Sequence, residues 1–295
     1  MFLPTIPTQR LALRVKPAAE RKIRQGHPWV FDQAITKQNK DGQAGDVAII
    51  FDQKKNKFLA LGLYDPYSPI RVKILGVKQP IQLDENWFRA KLTSAHTQRE
   101  SLLATDTNSY RFIYGENDGL PSLVVDVYAG IVVMKLYSLI WLPYLAVLVK
   151  LLLEISQGHT LVLRLSRHVQ RHTEALHGLH DGQILVGELA DPVVIFREHG
   201  LRFAAHVIDG HKTGYFLDHR HNRKRVGELA LGKRVLDVFA YAGGFSVHAL
   251  AGGAREVTAL DISTQALQMA RFNAALNGPA DRLHTLAADA FAGLQ

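Results

Sequence analysis

Leu236-Asp237-Val238-Phe239-Ala240-Tyr241-Ala242-Gly243-Gly244-Phe245 is the stretch on which the fold turns. An apolar strand, Arg234 to Val238, runs into a glycine-containing turn, and a helix is expected from about Phe245. A strand, a Gly turn and a helix in that order bring backbone amides close to a ligand at a helix N-terminus. The alternation then repeats: strand Glu256 to Leu260, helix Ser263 to Leu276, strand Leu283 to Ala287. Strands alternating with helices predict a parallel sheet with helices on its faces. Asp261, 18 residues after Gly243, ends the second strand, and Asp289 follows the third. With Asp237, three carboxylates are thus expected at the carboxyl ends of adjacent strands, where such sheets bind ligands.

The turn lacks the G-x-G-x-x-G dinucleotide fingerprint. A carboxylate beside it suits a cofactor bearing an amino-acid group better than one bearing a pyrophosphate. S-adenosylmethionine has an ammonium that Asp237 or its neighbours can meet, a ribose for Asp261 and an adenine for the Asp289 edge. The plain alternative is a tight turn needed for packing; the carboxylates at successive strand ends favour the cofactor.

Upstream of this unit, two strands, Leu201 to Val207 and Gly214 to Phe216, are expected to flank a loop with Asp209-Gly210. Asp218 is expected to cap a basic helix carrying Arg220, Arg223, Lys224 and Arg225. Further upstream, a helix from Asp84 to about Leu103 and strands at Tyr110–Tyr114, Leu123–Val127, Ile131–Leu136 and Leu161–Leu165 make an α+β segment. The apolar run Leu139 to Ile155 contains Pro143, Lys150 and Glu154 and suits a buried helix rather than a membrane span. The first 75 residues or so are short strands, Leu11–Val15, Asp46–Phe51, Lys57–Leu63 and Ile70–Leu75, with turn chemistry at Asp41-Gly42 and Asp65-Pro66.

The charge is concentrated. Met1 to Lys78 carries 14 Lys and Arg against 6 Asp and Glu, whereas the other residues carry 21 of each, so the whole net charge of +8 belongs to the first quarter. Such a module suits a polyanionic partner, the equal alternative on charge alone being a solvated basic surface. Zero cysteines exclude disulfides and thiolate metal sites. Met1 to Arg10 has two prolines and no apolar core, unlike a secretion signal, and the cytoplasm is the default location. His168 and His172 are spaced to share a helix face, but Arg167 and Arg171 beside them disfavour a metal, so none is expected.

Three stretches in order carry a family resemblance: Gly26-His27-Pro28-Trp29-Val30-Phe31, then Gly115-Glu116-Asn117-Asp118-Gly119-Leu120-Pro121 with Leu123-Val124-Val125-Asp126, then Gly210-His211-Lys212-Thr213-Gly214-Tyr215-Phe216-Leu217-Asp218-His219-Arg220. With them the chain resembles the bacterial 23S rRNA cytosine-5 methyltransferases of the large-subunit methyltransferase I group. The resemblance implies an α/β protein with a β-rich PUA-like RNA-binding domain over 1–80, a central α+β domain over 81–190, and the N-terminal part of a Rossmann-like class I methyltransferase domain over 191–295. It implies that Asp237, Val238, Phe239, Ala240, Tyr241, Ala242 and Gly243, with Asp261, Ile262, Asp289 and Ala290, hold S-adenosylmethionine. Lys212, Tyr215, Phe216, Asp218 and Arg220 are expected to line the approach, the alternative for Tyr215 and Phe216 being strand core. Arg14, Lys16, Arg24, His27 and Trp29 are the expected RNA contacts, the alternative for Trp29 being the β core.

The resemblance further implies 23S ribosomal RNA as partner, no membrane, and a homodimer. The family's later Asp-Pro-Pro motif is absent, and so is the cysteine of its pyrimidine chemistry. The nucleophile is accordingly expected beyond Gln295, with this chain an incomplete active site. The rival readings are a guanine-N7 rRNA methyltransferase, a non-catalytic RNA-binding protein, and a nicotinamide-dependent oxidoreductase, the last disfavoured by the missing fingerprint.

Overall fold

The computed structural model describes residues 3–210, 212–278 and 280–294, and the chain divides into two compact units. The first comprises residues 1–99 and 111–190, the second residues 100–110 and 191–295.

In the first unit, six strands form one sheet: β1 (Arg10–Val15), β2 (Trp29–Phe31), β3 (Ile35–Gln38), β4 (Val47–Phe51), β5 (Phe58–Tyr64) and β6 (Ile70–Val77), in the order β2-β6-β5-β4-β1-β3. β1 and β4 are parallel, while the other pairs are antiparallel. Period-2 alternation drives Leu11, Leu13 and Val15 into a core with Ile50, Leu59 and Val72. The helix Pro17–Arg24, not foreseen in the sequence, closes that core with Ile23; its Pro at the first position needs no N–H there.

A five-stranded sheet follows: β7 (Ser109–Tyr114), β8 (Leu123–Tyr128), β9 (Ile131–Leu136), β10 (Thr160–Leu165) and β11 (Gln183–Val186), in the order β11-β10-β9-β8-β7. β9 and β10 are parallel, so a crossover must join them, and the apolar run supplies it. Leu139–Tyr144 is a 3₁₀ turn around Pro143, and Leu145–Ser156 is the helix, with Leu145, Leu148, Val149, Leu151 and Leu152 buried. The 18-residue stretch Leu139–Ser156 is long and apolar enough to cross a bilayer, yet half of it is buried within the protein. Its polar side pairs with the helix Glu85–Thr97 through Lys150–Glu85 (2.9 Å) and Arg89–Glu154. That partner helix stops short of the expected Leu103: Arg99 turns its guanidinium onto Asp118 (2.7 Å), and only a separate turn, Glu100–Leu103, follows. His168 and His172 do not share a helix either. Only Arg167–Gln170 is helical, and His172 packs on the Tyr67 ring, centroids 4.3 Å apart.

The second unit begins with a hairpin, β12 (Val193–Glu198) and β13 (Leu201–His206), joined at His199-Gly200, both with positive φ. The expected strand Gly214–Phe216 does not form; Gly214 and Tyr215 lie in a bend and Phe216 is irregular, and among the described residues no strand pairs with them. Asp218 does not cap the basic helix: Arg220–Leu229 starts after His219, and the Asp218 side chain is exposed. The alternation at the end of the chain forms as expected: β14 (Arg234–Val238), β15 (Glu256–Asp261) and β16 (Leu283–Ala287) run parallel in that spatial order. One face, through Val257, Ala259 and Leu283, is buried with the helices Gly244–Ala251 and Thr264–Ala275; on the other, Leu236 and Leu286 remain exposed.

A buried carboxylate ties this unit together. Glu198, at the end of β12, receives Nε and a terminal nitrogen of Arg223 (2.8 and 2.7 Å) and Nε2 of His248 (3.1 Å). All three are almost inaccessible, and each belongs to a different element. Burial pushes the Glu198 carboxyl up, but the hydrogen bond from His248 and the Arg223 guanidinium outweigh it and hold the pKa at about 2. Breaking one partner of such a pair leaves an uncompensated charge, at a cost of about 3–5 kcal/mol. Arg223→Met is therefore expected to lower stability by about that amount in urea titration. Because the folded pKa lies below the ordinary value of 4.5, this contribution is complete above pH 4.5 and is lost as pH falls towards 2. Thermal melts of the wild type should drop through that window, and those of Glu198→Gln should drop less.

Candidate functional site

Parallel pairing places Asp237 and Asp261 at the ends of adjacent strands, and Asp289 follows the third strand by two residues. Each carboxylate organises local backbone. Buried Asp237 accepts from Ser246 N (3.0 Å) and Ser246 Oγ (2.7 Å), anchoring the first turn of the helix Gly244–Ala251. Burial pushes its pKa up, against the two Ser246 bonds. Asp261 accepts from Tyr241 N and from Ser263 N, both at 2.9 Å, so it spans the first turn and the start of the next helix. Asp289 accepts from Phe291 N (2.9 Å) and Ala292 N (3.2 Å) and caps the short helix Ala290–Gly293.

The turn from Phe239 to Gly243 is strained. Phe239 (φ 62°), Tyr241 (φ 48°) and Gly243 (φ 71°) are all left-handed, and two of the three carry side chains. A non-Gly residue there costs of order 1–3 kcal/mol, so the surroundings must over-determine it. They do: Ala240 N donates to Leu260 O (3.1 Å), Gly243 N to Ala240 O (2.8 Å), and Ala242 O accepts from Asn273 Nδ2 (2.8 Å). Asn273, fully buried, also accepts from Ala204 N of β13 (2.8 Å), binding the turn to the hairpin. A Cβ on Gly243 would stand 2.6 Å from the Cβ of Ala270, and one on Gly244 would stand 2.5 Å from the Tyr215 hydroxyl.

Around the strand ends the apolar side chains point outward: Phe239 is 71% exposed, Ile262 76% and Phe291 78%. Three large apolar groups bracketing two carboxylates present faces for a flat ring and acceptors for hydroxyl or amino hydrogens. A cavity of 340 Å³ adjoins them, bounded by Tyr241, Ala242, Ser263, Gln265, Met269 and the loop around Asp209. Asp237, Asp261 and Asp289 do not line it.

Of the residues expected along the approach, only some face it. Phe216 packs edge-on against Tyr241, centroids 5.1 Å apart, and Lys212 Nζ sits 5.7 Å from the Phe216 ring centre. Asp218 is exposed nearby in sequence. Tyr215 and Arg220 are corrections. Tyr215 is buried against Phe196 and Phe203, the core role that was its alternative. Arg220 is buried too, donating to Leu217 O (3.1 Å) and Ser109 O (2.8 Å), because its helix turns that face inward. His211 lies outside the described residues. Among the described residues, no group of three or more His, Asp or Glu could hold a metal.

In the first unit, Lys16, His27 and Trp29 line one cavity of 260 Å³ on the β-rich module. Arg14 and Arg24 do not: Arg14 donates to Asn56 (2.8 Å), and Arg24 pairs with Glu20 (2.9 Å). Trp29 is half-buried, its Nε1 donating to Glu116 (2.9 Å).

Residues 120–293 match the family described as S-adenosylmethionine-dependent methyltransferase, and residues 13–76 match the PUA-like domain. The chain belongs to the S-adenosylmethionine-dependent methyltransferase family. Its cofactor is S-adenosylmethionine. It is 48% identical to the ribosomal RNA large subunit methyltransferase of Deinococcus radiodurans, over 99% of this chain and 72% of that protein. To the ribosomal RNA large subunit methyltransferase I of Alteromonas mediterranea it is 31% identical, over 95% of this chain and 70% of the relative. A Streptococcus mutans protein assigned as an S-adenosylmethionine-dependent methyltransferase has the same fold at 20% identity, with a TM-score of 0.79 over 96% of this chain and 72% of that one.

For this methyltransferase, the residues at the strand ends fit the cofactor's parts: carboxylates for ribose and amino groups, exposed apolar side chains for adenine. Reading the sequence missed Phe291 and Asn273. An aromatic two residues after Asp289 was a usable signal, but nothing local marks Asn273, whose partners lie 31 and 69 residues away. Asn273→Asp keeps the acceptor for Ala204 N and loses the donor to Ala242. It is expected to weaken cofactor binding at least 10-fold by calorimetry, while Asn277→Ala, away from the turn, leaves binding unchanged.

Proposed function

We propose that this methyltransferase transfers the methyl group of S-adenosylmethionine to ribosomal RNA of the large subunit, with cytosine C5 of 23S rRNA as the target and the cytoplasm as its setting. The observation that carries the reading is the set of strand-end carboxylates, Asp237, Asp261 and Asp289, each with an exposed apolar residue one or two positions after it, Phe239, Ile262 and Phe291. The RNA part is supported by the PUA-like match, by the names of the relatives and by the basic first quarter of the chain.

In this reading the cofactor supplies an electrophilic methyl group. Asp261 holds the ribose, and it can do so while bonded to Tyr241 N because a carboxylate has about four acceptor sites. Ile262 and Phe291 would supply apolar contact for the adenine, and Asp289 would accept from its amino group. Asp237 fixes the helix start that faces the methionine end, and exposed Lys212 and Asp218 lie on the approach. C5 methylation through a thiolate needs a cysteine, and these 295 residues contain none. A thiolate route would therefore draw its nucleophile from outside them.

Two measurements test this. Isothermal titration of the chain with S-adenosylhomocysteine should show binding that Asp261→Ala weakens about 10- to 100-fold, the loss of 1.5–3 kcal/mol given by hydrogen bonds to a charged group. No binding by the wild type would overturn the cofactor assignments. Incubation with labelled S-adenosylmethionine and undermethylated 23S rRNA then reads the base: label at cytosine C5 from this chain alone would overturn the thiolate route, and label at guanine N7 would overturn the cytosine target.

A further inference from the structure

We propose that the cavity on the β-rich module walled by Trp29 and Phe31 takes one unpaired RNA base, with Lys16 and Lys22 on the phosphates beside it. The proposal rests on the RNA reading above and narrows it from a basic surface to a single-nucleotide site in single-stranded RNA.

The alternation of β2 generates the wall. Val30 points into the core at 1% exposure, so Phe31 must point outward, where it is 39% exposed at the cavity edge. An outward aromatic on a short strand gains little from the fold and is available to stack. Ala18, Ala19 and Ala34 complete an apolar floor, small enough to leave 260 Å³ open. Trp29 is held in place beforehand: Nε1 donates to Glu116 (2.9 Å), and its backbone N donates to His27 Nδ1 (3.2 Å). Its ring therefore offers a fixed surface rather than a donor, and a ligand need not order it.

The rim is cationic. Lys16, just before the helix Pro17–Arg24, and Lys22, near its end, are exposed and make no ion pair among the described residues. Arg24 on the same helix pairs with Glu20, while exposed Arg21, outside the cavity lining, makes no ion pair among the described residues and extends the positive charge beyond the rim. The nearby Asp32 faces Arg71 at 4.0 Å. Gln33, exposed at the rim, carries both a donor and an acceptor for a base edge. An aromatic wall with phosphate-binding lysines favours a splayed base over a duplex, whose bases are stacked away from such a wall.

Binding of the full chain to a short single-stranded oligoribonucleotide and to the same sequence as a duplex tests this. The single strand should bind more tightly, and Phe31→Ala should weaken it about 5- to 100-fold, as loss of one stacked base does, while leaving the duplex alone. Phe31→Tyr should restore binding. The Lys16→Ala/Lys22→Ala double variant should reduce the salt dependence by about one to two counterions. Equal binding of both RNA forms, unchanged by Phe31→Ala, overturns the pocket and leaves the RNA reading standing. No binding to either form overturns both.

Discussion

The second unit depends on a single carboxylate in a place where charge is expensive. Removing an ion from water costs several kcal/mol even after relaxation, so Glu198 persists in the core only because Arg223 and His248 meet both of its oxygens. Satisfying it fixes three elements at once: the hairpin through β12, the helix Arg220–Leu229 through Arg223, and the helix Gly244–Ala251 through His248. The aromatic core follows from that anchor. Phe203 stacks on His248 at 5.8 Å, and Arg223 lies 5.1 Å over the Tyr215 ring. The segment from Lys212 to Asp218 is consequently held at its middle by Tyr215 in the core and just past its end by Arg220 on the backbone of Leu217 and Ser109.

The strained turn is held by the same logic at shorter range. Three left-handed residues in five positions do not persist without partners, and here the partners come from β15, from Asp261 and from Asn273. Asp261 and Asp289 bind backbone amides with oxygens that retain further lone pairs, so building the turn and receiving a ligand do not compete. The outward Phe239 and Ile262 are the corresponding cost in hydrophobic exposure, which a bound adenosine would offset.

The parallel strands and their carboxylates were legible because both signals are local: apolar runs of five or six residues, each ending in or near Asp, separated by helical stretches. The cofactor class was legible for a similar reason, since a missing glycine fingerprint and a present aromatic-Gly-Gly turn occupy the same few residues. Gly214–Phe216 was misjudged because an aromatic run has strand propensity whether or not a neighbour exists to pair with it, and none pairs with it among the described residues. The burial of Arg220 and Tyr215 was not legible because a basic or aromatic residue in a ligand-like motif looks the same whether packing leaves it outward or, as here, turns Arg220 inward on its helix and draws Tyr215 onto Phe196 and Phe203.

By itself, the sequence determined the parallel strand–helix alternation from Arg234 to Ala287, the positions of Asp237, Asp261 and Asp289, and a basic first module, all set by periodicity and spacing along a few turns of chain. Only the tertiary structure decided which polar residues are spent on the fold. Arg223, Arg220 and Asn273 satisfy partners 25, 111 and 31 or more residues distant, respectively, and Lys22, Trp29 and Phe31 come to one cavity from a helix and a strand. The reason is physical: a buried polar group must find its hydrogen-bond partner wherever packing brings one, and that place is not encoded in the spacing of the residues around it.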